Sequence, residues 1–202
     1  MKTSILKNVL FIGIATLLMS FDIPTGWFKT GNKPQSYEMG IDKGAGQNSK
    51  NAATIKSIDK KIDGFGTLMQ ECLPDKYIGK RVRMTAMLKT KEVSDWVGLW
   101  LRIDTKTPVK AFAFDNMHVG EKDRSLKGTI EWKKYEIVID VPTNAANIAF
   151  GVLLSGTGQV WFDNLNFEIV DFTIPTTGIE METLTSKNHS NQKEPINLDF
   201  EK

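Results

Sequence analysis

The sequence predicts an all-β fold, two antiparallel sheets packed as a sandwich, on three observations. Between Gly26 and Val170, short β-branched or aromatic runs are punctuated by Gly, Pro, Asn and Asp. Several of those runs alternate apolar and polar residues with a period of two, the mark of a half-buried strand. No stretch sustains the 3.6-residue apolar repeat of a helix, and the segment near Met69–Tyr77 is the only short helical candidate.

The individual strands follow from that alternation. In Arg81–Lys89, Val82, Met84, Ala86 and Leu88 share one face and Arg83, Thr85, Met87 and Lys89 the other. In Trp96–Asp104, Val97, Leu99, Leu101 and Ile103 form an apolar face, while Trp96, Gly98, Trp100, Arg102 and Asp104 point away from it. Tyr135, Ile137, Ile139 and Val141 alternate until Pro142 stops the run. Ile148, Phe150, Val152 and Leu154 repeat the pattern as far as the turn Ser155-Gly156-Thr157-Gly158. A last strand runs from Gln159 to Val170, with Leu165, Phe167 and Ile169 on one face. About ten strands are expected, enough for two packed sheets.

The ends differ from this middle. Lys2 and Lys7 precede an apolar run over residues 9–19, too short to span a bilayer but suited to a signal peptide over residues 1–20. The expected domain is therefore 24–170 in a protein that is secreted, periplasmic or on the cell surface, with no stable membrane span. Residues 171–195 are rich in Thr, Ser, Asn, Lys and Glu, and 171–202 is expected to be a flexible tail or a linker to a partner domain downstream.

Charge and cysteine narrow the function. The chain has 26 basic and 24 acidic residues, and loss of Lys2 and Lys7 with the leader leaves 24 of each. Near-neutral charge argues against nucleic acid, whose ligands carry a basic excess. Cys72 is the sole cysteine, so an intrachain disulfide is excluded, and it reads as a small buried hydrophobe. With only His118 and His189, and no paired-acid motif, no catalytic constellation stands out, and an enzyme is not expected.

Four segments carry a family resemblance. Pro24-Thr25-Gly26-Trp27-Phe28 looks like a first-strand Gly-Trp, and Gly79-Lys80-Arg81-Val82 like the strand after a Tyr-x-Gly-Lys turn. Gly128 to Tyr135 with Val141-Pro142, and Gly156-Thr157-Gly158-Gln159-Val160-Trp161-Phe162-Asp163-Asn164, are the most specific. Together they resemble the jelly-roll modules grouped as carbohydrate-binding, or galactose-binding-like, domains, over nearly all of 24–170. Ala111 to Met117 after Trp100–Asp104 resembles a bacterial subgroup in which the domain occurs alone or beside regulators and hydrolases, without a settled activity.

The candidate ligand face is Trp96, Trp100 and Arg102, which one strand places on the side opposite its core residues. Indole stacks on the apolar face of a sugar, and guanidinium donates paired hydrogen bonds to hydroxyls. The bland alternative is a covered face whose tryptophans are core. Asp115 and Asn116 are candidates to orient hydroxyls or, equally, to cap a turn. The resemblance further implies a structural calcium near the terminal strands, with Asp163 as ligand; Asp42 is a candidate second ligand outside what the resemblance implies. Trp27, Trp132 and Trp161 match framework positions. The function expected is a non-catalytic carbohydrate-binding module; the alternative is an accessory structural or interaction domain of a hydrolase or regulator.

Overall fold

The computed structural model describes residues 21–105, 111–119, 122–180 and 190–202. The leader expected over residues 1–20 lies outside them. Nine strands are described: β1 (Phe28–Gly31), β2 (Tyr37–Asp42), β3 (Ala52–Ser57), β4 (Phe65–Cys72), β5 (Lys80–Thr105), β6 (Ala111–Asp115), β7 (Leu126–Val141), β8 (Ala145–Ser155) and β9 (Gln159–Val170). All pair antiparallel. No helix of the described residues is long and apolar enough to cross a membrane.

The fold turns on β5. Its first half, Arg81–Lys91, pairs with β9 and β7, and its second half, Trp96–Thr105, pairs with β8 and β6. One layer is therefore ordered β2-β3-β9-β5-β7 and the other β1-β4-β8-β5-β6. Register shifts between Thr90, Val93 and Val97, with Glu92 at φ +51°, bend the strand from one layer into the other. Two runs read as separate strands in the sequence are thus one strand of 26 residues.

The core lies between the layers and is built from the predicted faces. Val82, Met84, Ala86 and Leu88 oppose Leu99, Leu101, Ile148, Phe150 and Val152, all buried in one cluster. Trp27 sits among Phe150, Phe162 and Phe200, with ring centroids 5.2–5.9 Å away. Of the short helix considered near Met69–Tyr77, Met69–Cys72 is the end of β4 and Asp75–Tyr77 lie in a turn. For β4 its partner β8 decides the matter: Phe65 to Cys72 align one-to-one with Ser155 to Ile148.

The expectation of a flexible tail over 171–202 gives way to a docked one in the described residues. Thr177 donates its backbone N–H to Val138 O on β7, and Ile179 exchanges both backbone hydrogen bonds with Phe114 on β6. This segment so ties together the edge strands of the two layers. Residues 190–202 then close one end of the sandwich. Gln70 accepts from Ile196 N–H and donates to Ile196 O, Leu165 donates to Leu198 O, and Trp27 Nε1 donates to Asn197 O. Phe200 is fully buried. The polar composition of 171–195 concealed this, because most of these bonds are made by backbone, which composition does not report.

Candidate functional site

An open cleft of about 420 Å³ lies on the outer face of the β1-β4-β8-β5-β6 layer. Alternation along β5 builds it: with Leu99 and Leu101 facing the core, Trp100 and Arg102 face outward into the cleft. Its neighbours on this face are Phe65, Thr67 and Met69 from β4 and Leu153 from β8, with Phe114 and Asn116 at the β6 side. Thr30, Gly31 and Asn32 form the rim at β1. Gly98 allows β6 to end close by, since a Cβ there would lie 2.0 Å from Asn116 O.

The predicted ligand residues divide. Trp100, Arg102 and Asn116 line the cleft. Trp100 is its floor rather than a free platform: it is 6% exposed, packs with Met69, Ala149 and Leu153, and donates its Nε1–H to Thr67 Oγ1 at 2.8 Å. Arg102 is held by Asp104 through Nε at 2.8 Å and Nη2 at 3.1 Å. Asp104 in turn accepts from Asn147 Nδ2. Trp96 stands beside the cleft, its ring stacked on His118 at 4.6 Å and 16°. His118 is otherwise a surface group, 3.4 Å from the Asp123 carboxylate.

Asp115 and Asn116 behave as turn residues. Asp115 has no exposure, accepts the Met117 N–H at 2.7 Å and forms an ion pair with Arg124. It points away from the cleft lining. Asn116 Oδ1 accepts the N–H groups of His118 and Val119, so this carbonyl caps the turn while the residue still borders the cleft.

Asp163 and Asp42 are each committed elsewhere. A bulge at Asn164, with φ +52° and a register shift opposite Thr85–Met87, puts Phe162 and Leu165 both into the core and displaces Asp163 from it. Asp163 is 1% exposed and accepts from the Asn164 N–H and side-chain amide. Burial pushes its pKa up to about 6; the Asn164 N–H opposes this, and the charges of Glu201 and Asp199 reinforce it. Asp42 accepts the Trp161 Nε1–H at 2.7 Å. Calcium takes six to eight oxygens, and among the described residues no group of three or more His, Cys, Asp or Glu is placed to hold a metal ion.

Missed by sequence reasoning are Phe65, Met69, Phe114 and Leu153, which make most of the cleft wall. Phe114 and Leu153 alternate with core residues and carried a signal; β4 did not, because Gln70 faces inward and disguises the period.

No family model matches the sequence. A curated relative, the uncharacterised HTH-type transcriptional regulator YbfP of Bacillus subtilis (strain 168), is 42% identical over 179 residues. That match covers 87% of this chain and 56% of YbfP, so the chain spans about half the length of the curated relative. Among solved structures, the CBM22-1–GH10 modules of Clostridium thermocellum xylanase 10B with xylohexaose share 13% identity at a TM-score of 0.51, over 78% of this chain and 28% of that one. The CBM22-1 xylan-binding domain of Paenibacillus barcinonensis Xyn10C shares 11% at 0.50, over 74% and 89%. At such identity the likeness speaks for fold alone, and the fold is the β-sandwich of carbohydrate-binding jelly-roll modules.

Proposed function

We propose that this chain is a non-catalytic carbohydrate-binding domain whose ligand lies in the cleft of the β1-β4-β8-β5-β6 layer. The observation that carries the reading is the convergence of Trp100, Arg102 and Asn116 on one concave outer face. An apolar floor with a few polar groups at one side is what an amphipathic ring needs. Arg102 is the donor for hydroxyls, with Asp104 fixing its plane. Structural neighbours described as xylan-binding support the same reading. Affinity electrophoresis on neutral and acidic polysaccharides tests it. Retention by a neutral glycan is expected, and Thr30→Trp, which fills the rim of the cleft from an edge strand, should abolish it at unchanged melting temperature. Absence of retention on every glycan, or retention untouched by Thr30→Trp, overturns the assignment.

A second reading is favoured by the 42% identity to the regulator YbfP. In it the same domain is the accessory part of a regulator, the cleft receives a small effector rather than a polymer, and export is not required. Oligosaccharide binding without polysaccharide retention would select this reading. Export of the full chain, followed by the molecular mass of the secreted product, would select the first.

A further inference from the structure

The side-chain acceptors of the cleft are largely spent inside the protein, while donors remain on Arg102 and Asn116 at its open side. Thr67 Oγ1 accepts from Trp100 Nε1 and donates to Val152 O at 2.7 Å. Asn32 Oδ1 accepts the Phe65 N–H at 2.7 Å, and Asn116 Oδ1 accepts two backbone N–H groups. Asp104 takes two of the five Arg102 N–H donors, one on Nε and one on Nη2. A pyranose laid flat on Phe65, Met69, Phe114 and Leu153 would turn hydroxyls toward side chains that offer them no hydrogen bond, at about 1–3 kcal/mol for each one left unsatisfied. The body seated on Phe65, Met69, Phe114 and Leu153 must therefore carry few hydroxyls.

Charge adds a second restriction. Arg102 is the cation of the lining, and its side chain is 19% exposed. Asp104, 2% exposed, neutralises it from the same strand. A ligand carboxylate would meet a guanidinium already paired and a buried like charge behind it.

We infer that the cleft selects an uncharged glycoside bearing an aromatic substituent. The substituent lies against Phe65, Phe114 and Met69, and the sugar hydroxyls face Arg102 and Asn116 at the open side. This rests on the carbohydrate-binding reading and narrows its ligand class. The aromatic body gains by area removed from water and by ring–ring contact, both of which a bare sugar supplies less of.

Isothermal titration of the full chain with paired probes tests it: the phenyl and methyl β-glycosides of glucose, galactose and xylose, and phenyl β-D-glucuronide. For at least one sugar the phenyl glycoside should bind about tenfold or more tighter than the methyl glycoside, the glucuronide about tenfold weaker than phenyl glucoside. Asp104→Asn, which leaves Arg102 uncompensated, should shrink the glucuronide penalty several-fold. If Asp104→Asn fails to fold, Arg102→Gln serves: it should preserve the phenyl-over-methyl preference, which the aromatic wall sets. Equal binding of phenyl and methyl glycosides, or of glucoside and glucuronide, overturns the inference. Polysaccharide retention without phenyl preference sinks the inference and leaves the carbohydrate reading standing, whereas no binding of any kind sinks both.

Discussion

Phe200 stands edge-on to Phe162, centroids 5.2 Å apart and planes at 88°, joining the chain's end to the closing strand of the sandwich. Trp27 leans on both rings, so residues from the two ends of the described domain share one aromatic cluster. Phe200→Ala should open a cavity there and cost about 3–5 kcal/mol. Urea denaturation of the variant would show it as a lower midpoint with an unchanged slope, whereas Phe172→Ala, at an exposed ring over Arg81, should move the midpoint far less.

Arg124 completes the turn that Asp115 begins. Its Nη1 also donates to Glu136 O, pinning the turn to β7. Arg124→Ala strands a carboxylate that has no solvent contact, and a loss of about 3 kcal/mol is expected. Arg124→Lys should recover part of it, because one point charge replaces a planar fork. Thermal melts of the three proteins decide the order.

The contribution of Asp163 to stability should be smaller at neutral pH than under mild acid. Its folded pKa of about 6 lies above the ordinary 3.8, so the folded state binds the proton more tightly. Its contribution is therefore fully present below about pH 4 and is lost as pH rises through 6. The melting temperature of the wild type relative to Asp163→Asn should fall across that window, since the amide still accepts the Asn164 N–H and does not titrate. A flat difference between the two proteins would refute this. The same series with millimolar calcium tests the cation at this site, because a bound cation would favour the carboxylate and reverse the slope.

Cys72 should be inert in the folded protein. It is fully buried, and burial, aided by the charges of Glu194 and Glu71, pushes its thiol up to about 12. Iodoacetamide at pH 8 should label it only in denaturant, as read by intact mass. Labelling of native protein at the rate of a free thiol would contradict its place in the core between the layers.

Legibility in the sequence tracked the physics of each element. Strand halves 81–89 and 97–103 were readable because one face of each meets the core along its whole length. Their union into β5 was not, since the bend lies at Thr90–Val97, where the register shifts but alternation on either side continues. β4 hid because Gln70 spends its inward side chain on the Ile196 backbone. Trp100 and Arg102 were found by parity, and parity alone could not distinguish a platform from a floor. That distinction required Thr67, 33 residues away, to take the indole N–H. Asp115 looked like a rim residue because its partner Arg124 lies across a turn that no periodicity marks.

β5 has one more consequence. Each layer of the sandwich takes one of its inner strands from the same 26 residues. Neither layer can dissolve alone, because losing β5 from one removes it from the other. The domain accordingly has no seam along which half could melt, and its slowest-exchanging amides should span both layers with one common opening energy. Strand partners far apart in sequence, such as Arg81 with Val170 and Phe28 with Met69, must all be in place before that unit closes, which makes its folding slow and undivided.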